Sequence, residues 1–466
     1  MCQVYGQDYT ESFAATSQVT SVITFLTYAL QTDLTVRQMD VQAAFVNATL
    51  TETIYVSLPP QLGHHRRYAL LNKSLYGLKQ AAACWAKASH ALIMSIPGMR
   101  RNAAEPCWYT LTRADGLVAH LLVYVDDYLL ATNRIAFHEW FVAYFNKSYV
   151  LKDLGLVKHY MGIGVKYTNG TMELTRGGAI LATVTKYGVT DMCGSELPMV
   201  AGNGDRLLLP KTDADNHSLF RALLGELLYH CRTCRPDIRL ALALLSRFSA
   251  KNTTKHYEEL LRVLKYLKHT PDFALVIRKG PGGALGSMQL RMYVDASYRS
   301  IPESLKSVSG WVIFLNGSII SCNAKRQETT AGSSTEAEII AFADALNDLR
   351  FVWQLLKQFA KVELPMIVYE DNNATIAAFT NVSAGKTKYI DVKYMVGREL
   401  VEDGTISVHR VDSKHNVADF FTKPLEKKLH DKFVQAFMGH TQIEFPPIFG
   451  RGGVLQTEDS QRDTSE

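Results

Sequence analysis

Leu121-Leu122-Val123-Tyr124-Val125-Asp126-Asp127-Tyr128-Leu129-Leu130 is the stretch on which the fold turns. Two β-prone apolar runs flank a pair of acids, the pattern of a hairpin with Asp126-Asp127 at its turn. Acids in a generic hairpin are turn formers. Here both flanks are apolar, so the carboxylates are poorly solvated and repel each other unless a cation offsets them. A third acid, Asp40, sits in the strand-like run 34–46, which meets a helix or turn after it. Carboxylates at two strand ends, side by side in a sheet, can hold the pair of divalent cations that nucleotidyl transfer needs. Mg²⁺ suits the role because it takes oxygen ligands and shares its shell with substrate phosphates.

Outward from this hairpin the hydrophobic period changes twice. Residues 12–30 carry Val19, Val22, Ile23, Leu26, Ala29 and Leu30 at helical spacing. From 218 onward three helical stretches follow, at 218–232, 237–250 and 255–269. The third places Tyr257, Leu260, Leu261, Leu264 and Leu267 on one stripe, with Lys255, Arg262, Lys265 and Lys268 mostly off it. Basic residues on the free face of a packed helix can track a phosphate backbone. Gly280-Pro281-Gly282-Gly283-Ala284-Leu285-Gly286-Ser287 then reads as a linker. Beyond it, strand-like 290–294 and 310–315, a helix at 334–360, and strand-like 366–369 and 406–411 alternate with further helices, as in a separate α/β domain.

That last domain carries a second set of acids. Asp295 follows the first strand, Glu338 lies in the helix, Asp371 follows strand 366–369, and Asp419 starts a late helical segment. Four acids at strand ends and on a facing helix suit a two-metal site for phosphodiester hydrolysis. Glu336 competes with Glu338, but residues two apart on a helix point in different directions, and Glu338 is favoured.

Composition narrows the class. The 466 residues suggest about two to four domains. A hydrophobic fraction of 47% with 20% charged residues excludes collagen, low-complexity filaments and wholesale disorder. The seven cysteines are odd in number and widely spread, against a secreted disulfide scaffold and for a reducing, intracellular compartment. No apolar run reaches the ~18 residues of a membrane span. The net charge of +5 conceals an uneven distribution. Residues 1–60 hold one basic and five acidic residues, a net of −4. Residues 206–280 hold 14 basic and seven acidic, a net of +7, and residues 288–425 hold 15 and 16, a net of −1. The central block is a candidate footprint for a polyanion.

Eight motifs stand in order: Gln38-Met39-Asp40-Val41, Leu75-Tyr76-Gly77-Leu78-Lys79-Gln80, Tyr124-Val125-Asp126-Asp127, Lys152-Asp153-Leu154-Gly155, Arg235-Pro236-Asp237-Ile238, Ser333-Ser334-Thr335-Glu336-Ala337-Glu338, Lys388-Tyr389-Ile390-Asp391 and Ala418-Asp419-Phe420-Phe421-Thr422-Lys423-Pro424-Leu425. Together they resemble the reverse transcriptase–ribonuclease H segment of copia-type LTR retrotransposon Pol polyproteins, from about residue 3 to about residue 430. The resemblance implies an α+β multidomain fold. Its expected parts are truncated fingers and palm with an antiparallel sheet (1–170), a helical thumb and connection (171–279), the linker (280–287), an α/β ribonuclease H-like domain (288–430) and a tail (431–466). It implies that Asp40, Asp126 and Asp127 are catalytic metal-binding carboxylates of the polymerase, and that Asp295, Glu338, Asp371 and Asp419 are those of the nuclease. Phe45 looks like the gate against a ribose 2′-hydroxyl. Tyr76, Gly77, Lys79 and Gln80 look like the nucleotide floor, and Met161-Gly162-Ile163 resembles the primer grip. Arg262, Lys265 and Lys268 lie where the thumb holds a duplex. Mg²⁺ is the implied cofactor, with Mn²⁺ as an alternative. The implied partners are RNA template, DNA primer, RNA–DNA hybrid, dNTPs and other Pol or Gag products, without a membrane. The implied location is the cytoplasm, in a virus-like particle, or the nucleus.

Departures from the family pattern keep a second class open, a non-catalytic relic that binds nucleic acid, or a nuclease alone. The chain opens inside the fingers, at Gln3-Val4-Tyr5-Gly6, so basic residues expected for the triphosphate are missing. Ala81-Ala82 replaces Ser-Pro, Cys234 replaces Thr, Cys322 replaces Trp, and Tyr389 and Met395 replace histidines. Cys231-Arg232-Thr233-Cys234 lacks a second ligand pair and is not read as a zinc site. Gly162-Ile163-Gly164 lacks the rest of a dinucleotide fingerprint. His409 and His415 stay open as rivals for a nuclease histidine. Residues 450–466 are expected to be a disordered tail.

Overall fold

The computed structural model describes residues 3–59, 61, 68–168, 170–200, 217–280, 287–301, 304–380, 392–438, 441 and 445–446. The inner linker 281–286, the Lys388-Tyr389-Ile390-Asp391 motif and the tail 450–466 lie outside the described residues. Helix α1 (Val19–Gln31) begins where the apolar spacing begins, not at 12, because Gln18 is still extended. Strand β1 (Thr35–Val41) and a single helical turn, α2 (Ala44–Asn47), follow. Next come α3 (Ala81–Met94), β2 (Arg100–Arg101), β3 (Trp108–Thr112), β4 (Val118–Tyr124), β5 (Asp127–Thr132), α4 (Ile135–Phe145) and β6 (Leu151–Leu156). The six strands form one antiparallel sheet in the order β2-β3-β4-β5-β1-β6. Period-2 alternation sorts its two faces. Met39, Val41, Leu121, Tyr128 and Leu130 face Trp85, Phe141 and Phe145 from α3 and α4. Val36, Leu122, Leu129 and Ala131 face the opposite core, with Phe25 and Leu26 of α1.

The helical block is built on a second antiparallel sheet. Its strands are β7 (His159–Tyr160), β8 (Ile163–Thr168), β9 (Thr171–Thr175) and, after α5 (Gly177–Lys186), α6 (Phe220–Thr233), α7 (Arg239–Leu245) and α8 (Thr254–His269), β10 (Leu275–Arg278). Their order is β10-β9-β8-β7. The boundary expected at 170/171 therefore cuts a hairpin, since β8 and β9 pair with Thr168 opposite Thr171. The helix expected at 237–250 is a short 3₁₀ turn, α7 and another 3₁₀ turn. Its N-terminal break is Pro236, which cannot donate into a continued helix. The neighbouring Arg235 and Asp237 form a fully buried ion pair at 2.7 Å, and Arg235 also donates to the Thr270 carbonyl at 2.8 Å. That network fixes the end of α8 against the α6–α7 corner. Helix α8 starts with a capping box in which Thr253 and His256 exchange hydrogen bonds.

The third unit runs β11 (Leu290–Ile301), β12 (Lys306–Leu315), β13 (Ser318–Arg326), α9 (Ser334–Leu356), β14 (Met366–Glu370), α10 (Asn373–Thr380), α11 (Val392–Glu402) and β15 (Ile406–Arg410). Its mixed sheet is ordered β13-β12-β11-β14-β15, with β11, β14 and β15 parallel to one another. The expected tail 431–466 needs correction at its start. Helix α12 (Lys427–Phe437) buries Phe433, Val434 and Phe437, and Phe437 packs on Phe420 and Phe421. The first sheet and the third unit share a core. Asn102 donates to the Leu355 carbonyl at 2.9 Å, and the Phe359 ring meets Tyr28, Trp108 and His120. The fold is α+β throughout. Among the described residues no helix is long and apolar enough to cross a membrane.

Candidate active sites

The first sheet brings the three early aspartates together through register. Asp40 on β1 lies directly opposite Asp127 on β5. The hairpin turn is shifted by one residue from expectation, because Tyr124 pairs with Asp127 and leaves Val125-Asp126 as the turn. Val125 has φ 58°, a left-handed conformation that a β-branched residue rarely adopts. The Trp85 indole donates to the Val125 carbonyl at 2.7 Å, and the Val41 amide donates to the Asp126 carbonyl at 2.9 Å. These bonds hold the strained turn against β1. Burial and then the Asp126 charge push the Asp40 carboxyl above its usual range, with Lys152 opposing. Burial also raises Asp127. A Gln38 hydrogen bond opposes that shift, and the Asp126 and Asp40 charges add to it.

The second centre is tighter. Asp295 on β11, Glu338 on α9 and Asp371 just after β14 each offer an oxygen within 4.8 Å of the others. Among the described residues this is the one such grouping of His, Cys, Asp or Glu, so Asp40, Asp126 and Asp127 are not drawn together to that degree. Asp419 reaches the centre from the 3₁₀ turn Val417–Phe421. Lys423 bridges the two ends of the set, 2.8 Å from Asp419 and 3.4 Å from Asp295. Thr422 donates to Asp295, and Asn416 donates to the Val294 carbonyl at 3.0 Å. This turn can lie on the sheet because Gly310 stands opposite Asp295. A Cβ at 310 would fall 2.5 Å from the Thr422 methyl and 2.9 Å from the Phe421 Cβ.

Crowded acids resist ionisation. Burial, then the charges of Glu370, Asp295 and Asp371, push Glu338 up to about 10. Burial and Asp295 raise Asp419 to about 7 against the pull of Lys423. Glu338 and Glu370 each keep one buried carboxylate oxygen without a hydrogen-bond partner. An all-oxygen donor set with orphaned, mutually repelling carboxylates fits a hard divalent cation such as Mg²⁺.

A family model described as reverse transcriptase (RNA-dependent DNA polymerase) matches residues 1–201. A transposon Ty5-1 protein of Saccharomyces cerevisiae is 30% identical over 318 residues, which are 67% of this chain and all of that protein. The chain belongs to the copia-type retrotransposon Pol family. The Pol polyprotein from transposon RE1 of Arabidopsis thaliana is 29% identical over 447 residues, covering 95% of this chain and 30% of that polyprotein. The corresponding polyprotein from transposon TNT 1-94 of Nicotiana tabacum is 29% identical, covering 90% and 32%. This Pol chain thus spans about a third of the length of those relatives. A foamy viral protease-reverse transcriptase, solved in complex with RNA/DNA hybrid, is similar over 83% of the Pol chain and 45% of its own, at 13% identity and a TM-score of 0.45.

The remaining residues singled out in the Pol sequence are placed unevenly. Phe45, on α2, packs its ring 4.9 Å from that of the exposed Tyr76. Gly77 has φ 96°, which its lack of a side chain permits. The Lys79 amide donates to the Gln3 side chain at 2.7 Å. Gln80 is buried, and its amide group is committed to the Asp8 carbonyl and to Gln3. Met161 and Gly162 form the turn between β7 and β8. On α8, Arg262 pairs with Glu259 at 3.1 Å and Lys268 donates to the Met192 carbonyl, while Lys265 lies half-buried. Glu336 caps its own helix by accepting from the Gly332 amide, so Glu338, not Glu336, joins the acids. His409 bonds Ser407 within β15, and His415 is exposed on the turn before Asp419. Cys231 and Cys234 are buried thiols, and burial pushes Cys234 up to about 12.

Sequence reasoning missed Glu370, Thr422 and Lys423 as parts of the second centre. Thr422 and Lys423 were visible in the Ala418–Leu425 motif, at four residues or fewer from Asp419. Glu370 adjoins Asp371, but strand parity alone does not say which of two neighbouring acids faces inward.

Proposed function

We propose that this Pol chain is an RNA-directed DNA polymerase joined to a ribonuclease H. The observation that carries the reading is the ladder that sets Asp40 opposite Asp127, beside Asp126, in a segment matched by the reverse transcriptase family. In the polymerase reaction a primer 3′-hydroxyl loses its proton and attacks the α-phosphate of a dNTP paired to an RNA template, and the α–β phosphoanhydride bond breaks to release pyrophosphate. Asp40, Asp126 and Asp127 would hold Mg²⁺ or Mn²⁺ there, and Asp295, Glu338, Asp371 and Asp419 would hold it in the nuclease. Bound cations supply Lewis-acid stabilisation of charge on the phosphate oxygens. The chain's own residues position the reactants. Phe45, backed by Tyr76, closes the side of the nucleotide site where a ribose 2′-hydroxyl would stand. Gly77 and Lys79 lie in the segment that forms the floor. The basic face of α8, with Lys265, Arg262 and Lys268, follows the duplex backbone. In the nuclease, Thr422 and Lys423 orient Asp295 and Asp419. The substrate is the RNA strand of an RNA–DNA hybrid, recognised by shape and by its 2′-hydroxyls.

Primer extension on an RNA template and cleavage of a labelled hybrid, each with Mg²⁺, test the two halves separately. Asp126→Asn should abolish extension and spare cleavage, and Asp371→Asn should do the reverse. Extension that survives Asp126→Asn refutes the polymerase assignment. A nuclease-only reading is favoured by one observation, the looser gathering of Asp40, Asp126 and Asp127. Under that reading the full chain cleaves hybrid and never extends a primer.

A further inference from the structure

The Met161-Gly162 turn is held in an unusual way. Both residues have positive φ, 49° and 70°, the backbone of a type I′ hairpin turn. Glycine adopts it freely, whereas methionine is uncommon there. Both carbonyls of the turn are taken by side chains from the helical block. The Tyr229 hydroxyl, on α6, donates to the Met161 carbonyl at 2.8 Å. Arg176, which precedes α5, donates through Nη1 to the Gly162 carbonyl at 2.9 Å.

The two side chains also brace each other. The Arg176 guanidinium lies 4.3 Å over the Tyr229 ring, a cation–π contact. Its Nε donates to Nδ1 of the buried His230 at 3.2 Å, and Nε2 of that ring lies 3.1 Å from the Thr183 hydroxyl. With Nδ1 as acceptor, the network assigns the ring proton to Nε2. Position 162 must itself be small, because a Cβ there would fall 2.7 Å from Arg176 Nη1. Residue 162 thus lacks a side chain both for its φ and for the room the guanidinium uses. On the other side of the turn, the buried Tyr160 pairs with Ile163, and its hydroxyl lies 3.5 Å from the Asp127 carbonyl. A continuous path of contacts therefore joins α5 and α6 to the backbone of a polymerase carboxylate.

We propose that Arg176 and Tyr229 are positioning residues of the polymerase centre, a clasp that fixes the Met161-Gly162 turn and with it the place of the primer terminus. The proposal rests on the reading above, in which that turn touches the primer. Neither side chain touches the reacting atoms. Their effect passes through two backbone carbonyls, which turns over either residue's loss into a shift of the turn.

The test uses the full chain bound to a duplex whose primer ends in a photoreactive 4-thiothymidine. After irradiation, the crosslinked peptide is mapped by mass spectrometry. The wild-type chain should be labelled within 159–163. In the Arg176→Met/Tyr229→Phe double variant, labelling there should fall about tenfold, on the scale of one lost charge-assisted hydrogen bond. Duplex affinity should change by less than about threefold and the melting temperature should hold. Arg176→Lys, which keeps a donor for Gly162, should restore part of the labelling. Unchanged labelling in the double variant overturns the proposal. So does a loss of labelling that merely follows a collapsed melting temperature in both the double variant and the milder Tyr229→Phe. Wild-type labelling elsewhere would remove the turn from the primer and the clasp with it. The polymerase assignment itself is judged apart from this, by the Asp126→Asn extension assay.

Discussion

Asp295, Glu338 and Asp371 meet within 4.8 Å inside the third unit, whereas Asp40, Asp126 and Asp127 share the open end of a ladder and its strained turn. The acids of the third unit come from β11, α9 and the end of β14, and a lysine and a threonine from one further turn are bonded to Asp295. The early acids lean on the backbone instead, through bonds from Trp85 and Val41 to the turn. The difference teaches that a carboxylate centre can be enclosed by packing, and then suffers repulsion, or can be left open, and then relies on turn geometry. Enclosure should make the third unit depend on cations for stability as well as for chemistry.

The largest expected effect breaks the comparison cleanly. Asp371→Asn should lower hybrid cleavage on the order of 10³-fold, since cation-borne stabilisation is worth several kcal/mol at ~1.4 kcal/mol per tenfold. Primer extension should stay within about twofold of wild type. Rate measurements on both substrates check this. A chelator experiment comes next. A divalent cation at about one hundred times its Kd should raise the unfolding free energy by ~2.7 kcal/mol, read by urea melts with and without chelator. An unchanged midpoint would argue against a preformed site.

In chelator, pH should act with a definite sign. The raised Asp419 and Glu338 hold protons in the folded state that the unfolded chain releases, at about 7 and about 10 against ordinary values of 3.8 and 4.5. Their contribution is complete below the unfolded values and lost as pH rises through the folded ones. The melting temperature should therefore fall between about pH 5 and about pH 8, and Glu338→Gln should flatten the decline. Gly310→Ala should cost ~1–3 kcal/mol by overpacking against Thr422 and Phe421, seen as reduced cleavage with a lower melting midpoint. The smallest effect concerns the basic face. Lys265→Gln should reduce the slope of log binding against log salt by about one for a hybrid, while an unchanged slope would mark α8 as a merely solvated face.

Much of this organisation was legible from residue pattern. Leu260, Leu264 and Leu267 form the buried stripe of α8 as their spacing requires, though Val263 and Tyr266 widen it and the expected Tyr257 and Leu261 are only half-buried. Helix α1 starts at its first periodic residue. The register of the Asp126 hairpin was not legible, because nothing local announces that Val125 adopts a left-handed conformation. It is imposed by the ladder and by Trp85, forty residues away. Strand β13 and helix α12 escaped because each depends on burial by distant partners. Lys423 escaped because its role depends on Asp295, 128 residues earlier. Glu370 is hidden in a strand buried at every position, where alternation carries no signal.

The wide sequence separation at the Asp295 centre has a bearing on the unfolded chain. The Lys423–Asp295 ion pair closes a loop of 128 residues, and a cation shared by Asp295 and Asp371 would close another inside it. Such ties act as reversible cross-links. Their stabilising action comes in part from the freedom they deny the denatured ensemble, as a disulfide's does. The hairpin that supplies Asp126 and Asp127 closes almost no loop by itself, so only a cation that also engages Asp40 on β1 would add such a tie there.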